Sequence, residues 1–254
     1  MADARKGLTD QATAAIKSAA RAPQVRRFYK EVAVAAFAGG HVIALDGKPA
    51  RTPGRALLDL PSREVAAAVA GEWRAQGEMV DGASMPLTRL ANSAIDGVMP
   101  HTGEVAADTA RYGGSDLICY RADYPAGLVA LQKHHWDPVL AWAARDLDAN
   151  LRTGTGTGHV VQPEAALRRL LTVVSELSPF RLAALHSMTT LMGSVLLAIA
   201  HGRGALDAEA AWAAAHVDED WQISQWGADA EATARRAARW QDFQAASLVY
   251  HHSP

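Results

Sequence analysis

Residues 182–202 constrain the fold more than any other stretch, because no formal charge interrupts them and Arg181 and Arg203 stand at their two ends. An apolar run of about 20 residues can cross a bilayer, so this one is either a membrane span or something that a soluble domain encloses. His186, Ser187, Thr189, Thr190 and Ser194 interrupt its apolar character, and Gly193 lowers its helical propensity. A helix at the centre of a soluble domain fits better, and no stable membrane insertion is expected. With 254 residues, 49% of them hydrophobic and 20% charged, the chain can build one large core or two modest ones.

The two sides of this segment differ in character. Upstream, residues 28–38 are rich in Val and aromatics, Gly39-Gly40 ends that run, and residues 41–45 form a second extended stretch before Asp46-Gly47. Asp-Gly between extended runs predicts a two-residue hairpin, since both turn positions need positive φ. Pro49 and Pro53 restrict residues 48–52 to an edge. Another short strand at 56–60 leads to Ser62, a helix cap, and a helix over 63–77 with Val65, Val69 and Trp73 on one stripe. A second helix passes through Leu90, Ala94 and Val98 to Pro100.

Helices dominate downstream. Residues 116–121 read as a short strand or helical end, 128–147 as a helix containing Pro138, and the Thr-Gly repeats of 153–158 as a loop or hairpin. Helices follow over 163–177, 180–201, 207–225 and 231–248. The class is therefore α+β: a flexible extension at 1–26, a β-rich domain at 27–105 and an α-helical domain at 106–254. The extension carries Arg5, Lys6, Lys17 and Arg21 but also Asp3 and Asp10, and has no unbroken apolar core, so neither a secretory signal nor a transit segment is expected.

Several chemistries lack their residues. A net charge of -2 gives no basic field for nucleic acid. Cys119 is the single cysteine, so no internal disulfide or multi-cysteine zinc site can form. Gly47-Lys48 is followed by Pro49, which spoils a phosphate loop, and Gly154, Gly156 and Gly158 lack dinucleotide spacing. His134-His135 and His251-His252 are adjacent pairs, whose rings diverge by about 100° on a helix and cannot share an ion as an i, i+4 pair does. Ser115, Ser194 and Cys119 complete no nucleophile motif. No metal and no cofactor is expected.

What remains is an acidic row, Asp218-Glu219-Asp220, in which Glu219 shares a face with Gln222, Ile223 and Trp226. A carboxylate beside tryptophan suits a protein contact as well as it suits helix packing. With 7 tryptophans and no catalytic set, the chain reads as a protein-binding module rather than an enzyme. The alternative is a small-molecule hydrolase using the acidic helix near Glu219 with His186 in a cleft.

Ordered phrases then become specific: Arg27-Phe28-Tyr29-Lys30, Leu45-Asp46-Gly47-Lys48 with Thr52-Pro53, Leu60-Pro61-Ser62, Glu72-Trp73-Arg74-Ala75-Gln76, and the run from Met85 to Asn92. Asp116 to Arg121, Gln132 with Trp136-Asp137-Pro138, Ser178-Pro179-Phe180, and Gln222-Ile223 with Trp226-Gly227 continue the series. The chain resembles the ATP synthase assembly factor two family, chaperones of the F-type ATP synthase α subunit. The resemblance implies a non-catalytic, ATP-independent chaperone of β-rich then helical architecture that keeps the α subunit soluble until it meets β. It places client contact on the acidic helix at Asp218, Glu219 and Asp220; of these Glu219 is taken here as the main anchor, joined by Gln222 and Trp226 on its face, with Trp73 as structural support. A monomer working in a bacterial cytoplasm is expected, the alternative being the mitochondrial matrix.

Overall fold

The computed structural model describes residues 25–37, 40–156 and 158–254. Their contacts divide into two compact units. One takes in the described residues up to His101 with Ser178–Ala183 and His251–Pro254; the other is Thr102–Leu177 with Ala184–Tyr250. Most of the expected 1–26 extension lies outside the described residues, while Val25–Arg26 form β1 and pair with Met79–Val80, β6 in chain order.

The first unit is organised by β3 (Gly40–Leu45), against which β2 (Val32–Phe37) runs antiparallel along its whole length. Asp46 and Gly47 take φ of 47° and 77° and set Leu45 opposite Lys48, the predicted two-residue hairpin. The Asp46 carboxylate fastens the turn by accepting the Lys30 and Glu31 N–H groups at 3.0 and 2.7 Å. β4 (Lys48–Pro49) and β5 (Asp59–Leu60) share the other edge of β3. Both are shorter than the expected 48–52 and 56–60 stretches, because the intervening residues pair with each other in a tight turn, Arg51 opposite Leu57 and Arg55 at φ 68°.

Helix α1 (Arg63–Arg74) opens where Ser62 Oγ accepts the Val65 N–H at 3.2 Å, and buries Val65, Ala66, Val69 and Ala70 beside the sheet. Trp73 is half-buried, its ring 5.4 Å from that of Tyr29, whose hydroxyl donates to the Trp73 carbonyl at 2.7 Å. Its neighbour Glu72 has a different task. Helix α2 (Pro86–Ser93) has no capping side chain of its own, and Glu72 supplies one from α1. The carboxylate accepts the Leu87 N–H at 2.7 Å and both the N–H and hydroxyl of Thr88 at 2.8 and 2.7 Å. Beyond Ser93 the expected helix loosens into a π turn over Ala94–Val98 and a 3₁₀ turn over Met99–His101.

The second unit carries α3 (Thr102–Arg111), α4 (Ala126–Leu147), α5 (Glu164–Ser175), most of α6 (Pro179–Met192), α7 (Val195–Gly202), α8 (Ala208–Ala215), α9 (Val217–Trp226) and α10 (Ala230–His251). Tyr120–Arg121 (β7) and Gly154–Thr155 (β8) make a short parallel pair, so part of the Thr-Gly run is a strand.

The apolar 182–202 segment is two helices rather than one. Gly193 turns the chain at φ 67°, and Ser194 starts α7 by accepting the Leu197 N–H at 3.0 Å. Asp116, fully buried, holds this break: its carboxylate accepts the Leu196 N–H at 3.1 Å and the Ile118 N–H at 3.3 Å. The Leu117 N–H reaches the Gly193 carbonyl at 3.1 Å. Val195 to His201 are all buried behind that clamp. Among the described residues no helix is long and apolar enough to cross a membrane. The expected 207–225 helix is likewise two, parted at His216.

Glu72→Ala should unfold at lower denaturant, at a cost of about 1–3 kcal/mol, because three donors at the α2 terminus lose their acceptor. Trp73→Arg should also lower stability, by about 1–3 kcal/mol, because the indole packed on the Tyr29 ring is lost; melting curves of the two variants check both. Burial pushes the Asp116 carboxyl up to about 6, against hydrogen bonds from Ser194, Leu196, Ile118 and Val195 that favour its ionised form. A pKa raised on folding adds stability below the unfolded value that is lost as pH rises through 6. The unfolding free energy of the wild type minus that of Asp116→Asn should therefore rise by roughly 2 kcal/mol as pH falls from about 7 to about 4.

Candidate functional site

Helix α9 packs on α4, and two contacts fix how. Gln132, buried on α4, donates to Asp218 Oδ1 at 2.7 Å and accepts the Ala122 N–H at 2.8 Å. One turn and more toward the start of α4, Gly127 lies so close to Trp221 that a Cβ there would stand 2.6 Å from the indole. Gln132 against Asp218 and Gly127 against Trp221 make the helices antiparallel. Trp136, fully buried, ties α4 to the preceding helix α8 instead, donating its indole N–H to the Ala214 carbonyl at 2.7 Å.

The three carboxylates of α9 point in three directions, as successive helical residues must. Asp218 faces inward and is taken by Gln132. Asp220 is taken by Arg236 of α10, which donates both of its terminal nitrogens, Nη2 to Oδ2 at 3.1 Å. This bidentate pair raises the basicity of Arg236. Glu219 lies between them, partly exposed, with its Oε2 4.0 Å from His216 Nε2. Farther along, Gln222 is exposed and Trp226 is 80% exposed at the end of the helix, where Gly227 (φ 86°) stops it.

The predicted contact residues thus share one helix but not one role. Glu219, Gln222 and Trp226 remain outward; Asp218 and Asp220 are spent on holding α9 to its neighbours. Trp73 lies in the other compact unit, in the contact with Tyr29. The sequence left three participants without a role. Gln132 was visible as a motif residue, and a lone amide on a helix interior is a signal for a buried polar partner. His216 lies three residues before Glu219, the spacing that puts both on one face. Tyr124, 81% exposed just before α4, carries no periodic signal at all.

The hydrolase alternative finds no support here. His186 Nδ1 lies 3.0 Å from Thr109 Oγ1, and burial alone lowers its pKa, so its partner is a hydroxyl on α3 and not the acidic helix. Cys119 is buried and its thiol is pushed up to about 12 by burial and by the nearby Asp116 charge, which leaves no thiolate nucleophile. His134 and His135 stack edge to face at 5.1 Å, and no group of three metal-ligating side chains is found among the described residues.

Comparison with known proteins decides the family. The family model described as ATP12 chaperone protein matches residues 26–144. A crystal structure of Atp12 from Paracoccus denitrificans superposes with a TM-score of 0.83 at 43% sequence identity, covering 90% of this chain and 98% of that one. The chain belongs to the ATP12 chaperone family. A crystal structure of an Agrobacterium tumefaciens protein is equally similar in sequence, at 42% identity, with a TM-score of 0.87 over 97% of this chain and 99% of that one. The mitochondrial protein atp12 of Schizosaccharomyces pombe is 25% identical over 217 residues, 81% of this chain and 75% of its own length. The resemblance carried by the ordered sequence phrases is thereby borne out, as is the α+β class.

Gln132→Ala should lower stability by about 1–3 kcal/mol, since it leaves the Asp218 carboxylate and the Ala122 N–H without their shared partner. Gly127→Val should do so too, by forcing Trp221 off α4. Both are read by thermal unfolding, and amide exchange should rise in α9 before it rises in α1.

Proposed function

We propose that this ATP12-family chaperone serves ATP synthase assembly by binding the α subunit of the catalytic head and keeping it soluble until β replaces the chaperone, without ATP and without chemistry. The observation that carries the reading is α9: a helix locked by Asp218 and Asp220 that holds Glu219, Gln222 and the 80% exposed Trp226 outward. A large indole left in water on a rigid helix, beside a carboxylate, has the composition of an interface anchor with a charged rim. Tyr124, at the end of α4 that lies toward the carboxyl terminus of antiparallel α9, extends the apolar surface. An α subunit awaiting β exposes an interface that aggregates unless it is covered. Release follows by mass action if β buries more of that surface than the chaperone does. Trp73 is then a structural support remote in sequence from the contact.

Identities of 43% and 42% with two bacterial proteins along nearly the whole chain, against 25% with a mitochondrial one, favour a bacterial, cytoplasmic chaperone. The test is co-expression of the chain with the α subunit from the same genome, scoring soluble α. The wild type should raise the soluble fraction severalfold. Glu219→Lys and Trp226→Ala should abolish most of that gain with melting temperatures unchanged. A wild type that leaves α as insoluble as an empty vector would overturn the reading.

A further inference from the structure

Glu219 faces a histidine whose bonding state follows from its surroundings. The His216 ring is 5% exposed and lies 4.2 Å from the Trp212 ring. Its Nδ1 is 2.7 Å from the Trp212 carbonyl oxygen, which can only accept, so Nδ1 carries the proton. Burial lowers the basicity of the imidazole, and the Arg236 and Arg239 charges lower it further, against Glu219 and the Trp212 carbonyl, which raise it. The neutral ring therefore turns an Nε2 lone pair toward Glu219 Oε2, 4.0 Å away. Two acceptors face each other beyond hydrogen-bonding distance.

Among the described residues no side chain bridges the two acceptors, although the Arg236 charge acts on Glu219 from nearby. Arg236 is committed to both oxygens of Asp220, and Arg239 donates to the Leu191 carbonyl. Asp218 and Asp220 have their own partners, so Glu219 is the carboxylate of the row that no side chain donates to among the described residues.

We propose that Glu219 Oε2 and His216 Nε2 form a two-acceptor seat for an arginine side chain of the client. A guanidinium is the group that matches: it is planar, permanently charged, and carries several N–H donors in a fork that can serve a carboxylate oxygen and an imidazole nitrogen together. A compact ammonium matches the charge but not the fork. The seat rests on the reading that α9 contacts the α subunit, and it names what α9 takes hold of. Trp226 provides the apolar contact farther along the same helix, so the seat governs specificity and the indole supplies burial.

Charge reversal in both proteins tests it. Glu219→Arg on the chaperone should weaken α-subunit capture by at least about tenfold, and one arginine of α changed to Asp should restore it, whereas lysine reversals should not. In parallel, with histidines labelled by nitrogen-15, the His216 Nε2 resonance should stay in the unprotonated range and move upfield when α binds, as a lone pair does on accepting a hydrogen bond. Restoration by a lysine reversal, restoration by none, or an Nε2 resonance that α leaves unmoved would overturn the seat while the chaperone reading stood. A wild type that captures no α would remove both.

Discussion

Successive side chains on an α-helix diverge by about 100°, and this constraint gives the acidic row of α9 its division of labour. Three carboxylates in sequence cannot present a common acidic face. One must look inward, one sideways and one out. Here Asp218 is drawn to Gln132 of α4 and Asp220 to Arg236 of α10, so the helix is fastened on two sides by groups that would otherwise repel each other. Glu219 is left outward with Gln222 and Trp226. Fastening matters because a binding helix that must be ordered on contact loses affinity to that ordering, and one held in advance does not.

The frame behind α9 depends on a second polar device. The uncharged 182–202 stretch would be hard to enclose as one long rod. Gly193 and Ser194 fold it into two pieces, and the carboxylate of Asp116 satisfies backbone N–H groups that the break exposes. Satisfying those donors lets Val195 to His201 pass entirely through the interior. Glu72 plays the same part in the first unit, lending α2 the cap that its own residues lack. In both places a carboxylate distant in sequence substitutes for a local capping residue, and in both the acid belongs to one of the ordered phrases that point to the family.

Local rules were therefore legible and long-range pairings were not. The Asp46-Gly47 turn and the Ser62 cap follow from what those residue types can do by themselves. The division into a β-rich part and a helical part follows from the switch in periodicity. Gly193 was visible only as a weak point, because a single glycine is outvoted by the apolar residues around it until a partner such as Asp116 makes the break worthwhile. The same limit applies to the site. The sequence picks out the acidic row and the face that Glu219 shares with Trp226, but Gln132 lies 86 positions from Asp218, and nothing in α9 itself says which carboxylate is left over. That choice is made by tertiary packing.

The direct test of the account is hydroxyl-radical footprinting of the chaperone alone and in complex with the α subunit. Oxidation of Trp226 should be fast in the free chaperone and strongly suppressed in the complex, while buried Trp136 stays unreactive in both. Trp226 oxidised as rapidly in the complex as in the free protein would show that α9 is not where the client sits.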